Sequence, residues 1–268
     1  MQIKLDGIPE TLLIPLWAKA VETAHKNSII KDNKAVEMVS NIDYDFSKFE
    51  KSWMTQVGVS VRTMLFDNET RNFLKHNPDA VVINLGAGLD TRIERFKNDD
   101  FHCWYDLDVP ESIELRSQFF SEGKRHKFIA KSMLDFSWMD DINFEGKPVL
   151  IIAEGLFMYF REYELKPLFK KFVSQFNGAE ILFEMLPPAA IGKSKHHESL
   201  RKLDKAPEFK WGLKNCQGLE IWDSGIKYIE EWDYYDYHKA RWKLMGFVGR
   251  LPFVRPNLSP RIVHMKFV

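Results

Sequence analysis

The apolar positions of this chain change period near residue 80. Upstream they recur at helical spacing. Leu12, Leu13, Leu16, Ala20, Val21 and Ala24 follow Pro9-Glu10-Thr11, a second pattern runs from about Asn33 to Met38, and a third from about Ser52 to Lys75, closed by Asn77-Pro78. Downstream, short runs rich in Val, Ile, Leu and aromatic residues predict strands over 80–85, 101–106, 126–131, 148–153, 179–185, 226–233 and 261–268. Helical segments separate the first five, for example 110–121 and 161–176, and one over about 235–246 separates the last two. Apolar strands alternating with helices predict an α/β fold: a seven-stranded, doubly wound, largely parallel sheet covered on both faces. The segment RIVHMKFV alternates apolar and polar positions, and predicts a last strand antiparallel to its neighbours.

Residues 187–220 interrupt that rhythm. The stretch is polar, mixed in charge and carries Trp211, and it reads as a helical insertion at the carboxyl edge of the sheet, either a lid over a ligand or a surface excursion. The expected organisation is a single domain over 1–268, with a helical cap over 1–78, a core over 79–186, an insertion over 187–224 and strands completing the sheet over 225–268.

Composition narrows the classes of function. Lys and Arg number 38 and Asp and Glu 38, so no overall electrostatic footprint for nucleic acid exists, although a balanced total can hide a local patch. No run approaches 18 apolar residues and MQIKLDGIPETLL has no basic-then-apolar leader pattern, so neither a membrane partner nor a signal peptide is expected. Two isolated cysteines, Cys103 and Cys216, predict a reducing, cytoplasmic setting and no zinc or other metal site.

The chemistry concentrates at VVINLGAGLDTRIERF (81–96). A buried run stops at Gly86-Ala87-Gly88 and a polar helix start follows, a turn at which a ligand can approach bare backbone. About 20 residues on, Asp106 and Asp108 close the next strand, where doubly wound proteins hold an adenosine ribose. With the strand ending at Asp106, Asp108 falls in the turn and either faces the ribose or caps the helix at Pro110. The third glycine of the dinucleotide fingerprint is absent, which disfavours NAD and suits a nucleoside without phosphate. Glu154, after VLIIA, stands over the same crevice, to meet a cationic group there or to favour a helix start.

The order of NLGAGLDTR (84–92), YDLDVP (105–110) and EGLFMYF (154–160) resembles the S-adenosylmethionine-dependent methyltransferases of the leucine carboxyl methyltransferase family, in its bacterial branch of tetracenomycin-type polyketide-synthesis O-methyltransferases. ETLLIPLWAKAVET (10–23), the Asp32 and Ala35 step, NIDYDF (41–46) and VRTMLFD (61–67) extend the similarity, which covers about residues 5–160 and thins from 187 onward. The resemblance implies a class I methyltransferase (Rossmann-like) fold and S-adenosylmethionine as cofactor. It implies Arg62 on the methionine carboxylate, Gly86, Ala87 and Gly88 beneath the methionine moiety, and Asp108, with Asp106 nearby, at the ribose. Ser132 and Met133 would lie at the adenine and Glu154 at the amino end. Where the family often has an acid and a Leu this chain has Ser132 and Met133, so the adenine contact falls to the Ser132 hydroxyl or to Asp135. An Arg usual in the first helix is Lys19 here.

The expected reaction is methyl transfer to an oxygen of a small molecule, polyketide-like or a carboxylate. The alternatives are methylation of a protein C-terminal carboxylate, a nicotinamide-dependent oxidoreductase, or a binding protein without catalysis. No general base stands out: His25, His196, His197 and His238 are uncommitted, and Phe157, Tyr159 and Trp211 are either walls of an acceptor site or core residues.

Overall fold

In the computed structural model, residues 10–203 and 206–268 are described. Pro9 and most of MQIKLDGIPETLL lie outside the described residues, as do two positions of the insertion. Seven strands form one sheet: β1 (Val81–Leu85), β2 (Cys103–Asp108), β3 (His126–Ala130), β4 (Val149–Ala153), β5 (Glu180–Met185), β6 (Ile226–Asp233) and β7 (Arg261–Phe267). Their order is β3-β2-β1-β4-β5-β7-β6. β1 to β5 pair in parallel, and β7 enters antiparallel between β5 and β6. β1 and β4 are buried at every residue, as apolar runs covered on both faces must be. The chain winds outward from β1 to β3 and then returns to place β4 on the other side of β1. That reversal opens a crevice at the carboxyl ends of β1 and β4.

The cap comprises α1 (Leu13–Thr23), α2 (Asn33–Asn41) and α3 (Trp53–His76). Short α4 (Arg92–Phe96) and α5 (Pro110–Arg116) follow β1 and β2, α6 (Glu162–Gln175) follows β4, and α7 (Lys243–Gly249) and α8 (Arg255–Leu258) precede β7. Leu16, Val61, Phe66, Phe96 and Trp104 pack one face of the sheet, and Trp138, Phe169, Phe172, Phe183 and Phe267 the other. A smaller cluster of Trp17, Phe49, Met158, Leu200 and Phe209 joins the cap to the insertion.

Three expectations are corrected. Among its described residues the insertion forms no α-helix and has instead 3-10 turns at Pro188–Ala190, Ser194–His196, Leu200–Lys202 and Gln217–Trp222. Its Pro and Gly residues break the helical pattern, and Ser199 and Glu198 instead bond Thr55 at the start of α3. The helix expected over 235–246 starts at Lys243, after 3-10 turns and a left-handed His238. β2 runs two residues beyond Asp106, so Asp108 stands on the strand tip rather than in the turn. Among the described residues no helix is long and apolar enough to cross a membrane.

Beneath the crevice lies a buried ion pair, Arg116 on Asp106 at 2.6 Å, with both side chains fully enclosed. Asn84, Trp104 and His126 supply the remaining bonds to the Asp106 carboxylate. Arg116 also donates to the carbonyls of Gly88 (3.1 Å) and Asp90 (2.7 Å), which braces the glycine turn from below. Burial pushes the Asp106 carboxyl up, yet Arg116 and His126 outweigh it and hold it below the ordinary carboxylate range. The stability from this pair is therefore present above the ordinary Asp value of about 3.9 and is lost as pH falls through the lower folded value. Arg116→Met strands a buried carboxylate, and urea denaturation at neutral pH is expected to show a loss of about 3–5 kcal/mol. A loss below about 1 kcal/mol would remove the pair from its bracing role.

Candidate active site

β1 delivers the chain into Gly86-Ala87-Gly88 with left-handed φ of +64° at Gly86 and +42° at Gly88, a conformation that glycine adopts without a Cβ clash. A Cβ on Gly86 would lie 2.7 Å from the Leu156 side chain, and one on Gly88 2.7 Å from Leu12. The turn is thus bare backbone under the tips of two flexible side chains. From β2, Asp108 accepts the Gly88 N–H at 2.7 Å and its neighbour Val109 N–H at 2.7 Å. Val109, the N-cap of α5, receives no side-chain cap bond, so Asp108 secures the glycine turn and does not cap the helix through a backbone N–H beyond Val109. Burial raises the Asp108 carboxyl pKa, and the Gly88 and Val109 N–H groups only partly offset it.

Above the turn is a chain of ion pairs. Arg62, from α3, donates to Glu154 (2.9 Å) and to Glu184 at the end of β5 (2.8 Å). Arg92, fully enclosed, donates to Asp67 (2.9 Å), to Asp90 (2.7 Å) and to Glu154. Lys19 reaches Asp90 at 3.2 Å, and Arg95 joins Asp67 to Asp32. Asp32 also accepts from Thr91 and from the Ala35 N–H, fastening the start of α2 to the start of α4. Four cations, Lys19, Arg62, Arg92 and Arg95, face five carboxylates, Asp32, Asp67, Asp90, Glu154 and Glu184, which leaves one carboxylate in excess. Asp108 adds another with no ion pair of its own among the described residues. Burial pushes the Glu154 carboxyl up, but Arg62 and Arg92 hold it below its ordinary range. For Arg62 burial favours the neutral form, and Glu184 and Glu154 reverse that, so the guanidinium stays charged.

Of these groups Lys19, Arg62, Asp90, Asp108, Glu154 and Glu184 border one cavity of about 590 Å3 that runs from Asp108 and Ser112, past the glycine turn, to an apolar chamber. Met54, Val59, Met158, Leu186, Phe209, Trp242 and Met245 wall the chamber. Of the expected site residues the cavity brings together Arg62, Gly86, Ala87, Gly88, Asp108 and Glu154. Asp106 has its carboxylate consumed below the turn. Met133 is packed in the core, Ser132 bonds the Leu134 N–H, and Asp135 caps the turn that follows, so none of the three borders the cavity. Phe157 and Trp211 are core residues, while Tyr159 lines the chamber. Sequence reasoning overlooked Asp90, Arg92, Glu184 and Tyr234. The signal for Glu184 was present as an acid flanked by Phe183 and Met185 near the end of the apolar strand EILFEM.

The model of the leucine carboxyl methyltransferase family matches residues 13–173. The chain is 32% identical over 234 residues to the tetracenomycin polyketide synthesis O-methyltransferase TcmP of Streptomyces glaucescens, spanning 87% of this chain and 86% of that one. This chain belongs to the leucine carboxyl methyltransferase family. A second relative is the S-adenosyl-L-methionine-dependent methyltransferase dpfgK of Gibberella zeae, 28% identical across 93% of this chain and 91% of its own length. The fold matches that of a crystallised DUF574-family protein of Streptomyces avermitilis (TM-score 0.56, 10% identity, 94% of this chain and 97% of that one). It also matches a SAM-dependent methyltransferase of Anabaena variabilis (TM-score 0.54, 12% identity, 83% and 94%). The protein is accordingly a methyltransferase with a class I fold that uses S-adenosylmethionine. The charge of the site fits that cofactor, whose sulfonium and ammonium outweigh its one carboxylate.

The glycine turn yields a stability test for this methyltransferase. Gly88→Ala is expected to cost about 1–2 kcal/mol from the left-handed φ, plus the contact with Leu12. Adding Leu12→Ala should recover only the contact part, read as a partial rise in the thermal midpoint. Full recovery would show that φ at Gly88 is unstrained.

Proposed function

We propose that this methyltransferase places its methyl group on an oxygen of a small apolar molecule, and that the oxygen belongs to a carboxylate. The similarity to TcmP, a tetracenomycin polyketide synthesis O-methyltransferase, supports the oxygen and the small acceptor. One observation carries the carboxylate: neither the two tyrosines nor the aimed histidine of the chamber is poised to take a proton at neutral pH. Burial and the nearby Glu184 carboxylate push the Tyr159 phenol up to about 12. Burial and Glu184 likewise raise Tyr234, whose hydroxyl already donates to Glu184 at 2.8 Å. His197 opens onto the cavity, and the surrounding protein together with Arg62 lowers its pKa, which favours the neutral ring. Its Nδ1 accepts the Ser199 and Leu200 N–H groups, each at 3.4 Å, so the ring proton sits on Nε2 and the ring is a donor. His196 is exposed at the chamber mouth with no bond that would aim its ring among the described residues. A phenol acceptor gains from a general base, whereas an ionised carboxylate needs none.

Bound S-adenosylmethionine supplies an already activated methyl group. The work left to the chain is to bind, orient and exclude water. We assign Arg62 to the methionine carboxylate, which its planar fork suits, and Glu154 to the ammonium. Gly86, Ala87 and Gly88 offer backbone that a ligand can approach closely. Asp108 is assigned to the ribose hydroxyls, and Val109 and Ser112, which line the same end of the cavity, to the adenine side. Asp106 supports the site from below, and Ser132 and Met133 receive no role at the adenine. The Glu198 and Ser199 bonds to Thr55 tie the insertion to the cap across the chamber. Alignment of acceptor and donor in such an enclosure supplies up to about 7–11 kcal/mol of the barrier reduction. Two unpaired, buried cysteines support a cytoplasmic setting.

Calorimetry with S-adenosylmethionine is expected to show Arg62→Ala and Asp108→Asn each weakening binding about tenfold or more, roughly 1.4 kcal/mol. Unchanged affinity in either variant removes that residue from the assignment. Because the Asp108 carboxyl is raised and binds as the anion, wild-type affinity should begin to fall, on acidification, at a pH above the ordinary Asp range, and Asp108→Asn should abolish that fall. Methyl transfer to apolar aromatic carboxylic acids should be nearly independent of pH between about 6 and 9, where their carboxyls are ionised. Transfer to phenols alone, with a rate that climbs with pH, would overturn the carboxylate reading and leave the cofactor site intact.

A further inference from the structure

The chamber wall formed by α7, α8 and the turns around them has an outer face as unusual as its inner one. Trp242, Met245 and Leu258 face the cavity. On the outside Leu244 is 73% exposed, Phe247 60%, Leu251 40% and Phe253 94%. Four large apolar side chains exposed within ten consecutive residues, Leu244, Phe247 and Leu251 at helical spacing, are the sequence of an interaction site, since singly scattered ones are ordinary. The charge of the same stretch is one-sided. Residues 237–260 contain five Lys and Arg and no Asp or Glu, in a chain whose totals are 38 and 38. Arg241 and Arg255 are matched by acids from elsewhere, Glu22 and the pair Asp233 and Asp236. Lys239, Lys243 and Arg250 have no acidic partner among the described residues.

We propose that this face docks on an anionic lipid surface, with Phe247 and Phe253 entering the headgroup boundary and the basic rim meeting the lipid phosphates. Protruding Leu and Phe beside Lys and Arg are the composition of an interfacial segment, which lies in the membrane plane and needs no long apolar run. A second copy fits the face less well. A two-fold contact sets a patch against itself, and here it would oppose the same unmatched cations. The geometry also gives the docking a use, because the docked segment is the wall of the chamber. An apolar acceptor dissolved in the bilayer would meet the protein at that wall. The proposal stands on the surface alone and survives if the carboxylate acceptor is wrong.

The test is sedimentation of the purified full chain with vesicles of phosphatidylcholine alone and of phosphatidylcholine with phosphatidylglycerol. Binding to the anionic vesicles is expected to exceed binding to the neutral ones by about tenfold and to weaken in high salt. Phe247→Ser with Phe253→Ser should lose about tenfold of it, with S-adenosylmethionine affinity unchanged as proof of fold. Lys239→Glu, at an exposed position, should reduce binding to the anionic vesicles alone. Absence of vesicle binding by the wild type, or equal binding by the double Phe variant, overturns the proposal. Concentration-dependent dimerisation that the double variant abolishes, without vesicle binding, overturns it in favour of a second copy.

Discussion

The site depends on a carboxylate and a guanidinium that lie beneath the cavity without bordering it. Asp106 and Arg116 are fully enclosed beneath the glycine turn, and a buried pair of this kind contributes little net stability over an apolar replacement. What it provides is direction. With Asp106 holding one edge of the guanidinium, another is presented to the carbonyls of Gly88 and Asp90. Asp108 draws the same turn from the other side through the Gly88 N–H. Two acids two residues apart therefore have divided labour, one below the turn as framework and one on the strand tip, open to the cavity.

A second level of organisation rests on that frame. The ion-pair chain from Lys19 to Glu184 unites α1, α3, α4 and the ends of β4 and β5, so that cap and sheet share one electrostatic unit. Each of its carboxylates has a cationic partner, yet together they leave a net negative charge next to the cavity, which a cationic ligand would offset. Under the proposed assignment, cofactor binding and protein stability share residues, because binding to the folded state alone shifts its stability by mass action.

The fold was largely legible in the sequence. Each of the seven strands lies within about two residues of its expected span, because period and burial agree for apolar strands under helices. β7 did prove antiparallel, as its alternation implied. The failures share a cause. Residues 187–220 and 235–246 have helical composition without a helical apolar stripe, and their shape is set by contacts with the cap and the chamber that no local pattern encodes. The same limit applied within the site. Gly86, Gly88, Asp108, Arg62 and Glu154 meet at one cavity as expected, all but Arg62, which stands within α3, at an element end that the pattern locates. Asp106 and Asp108 look equivalent in YDLDVP, and only the depth of each below the sheet edge separates them. Ser132 and Met133 were placed by the family resemblance, with no pattern of their own, and neither borders the cavity.

The sheet order has a temporal consequence. β6 is joined to the rest of the sheet only through β7, which follows it in the chain and slots between it and β5. Tyr234, Trp242 and Met245, which enclose the chamber, lie on the connection between those two strands. During synthesis the parallel half, with the glycine turn, Asp108 and Glu154, emerges first and has its local partners at hand. The chamber wall has no seat until the final strand pairs, and such long-range closure is the slow part of folding. The half with the glycine turn is thus assembled ahead of the chamber wall, and an incompletely made chain has the turn, Asp108 and Glu154 in place before the chamber is closed.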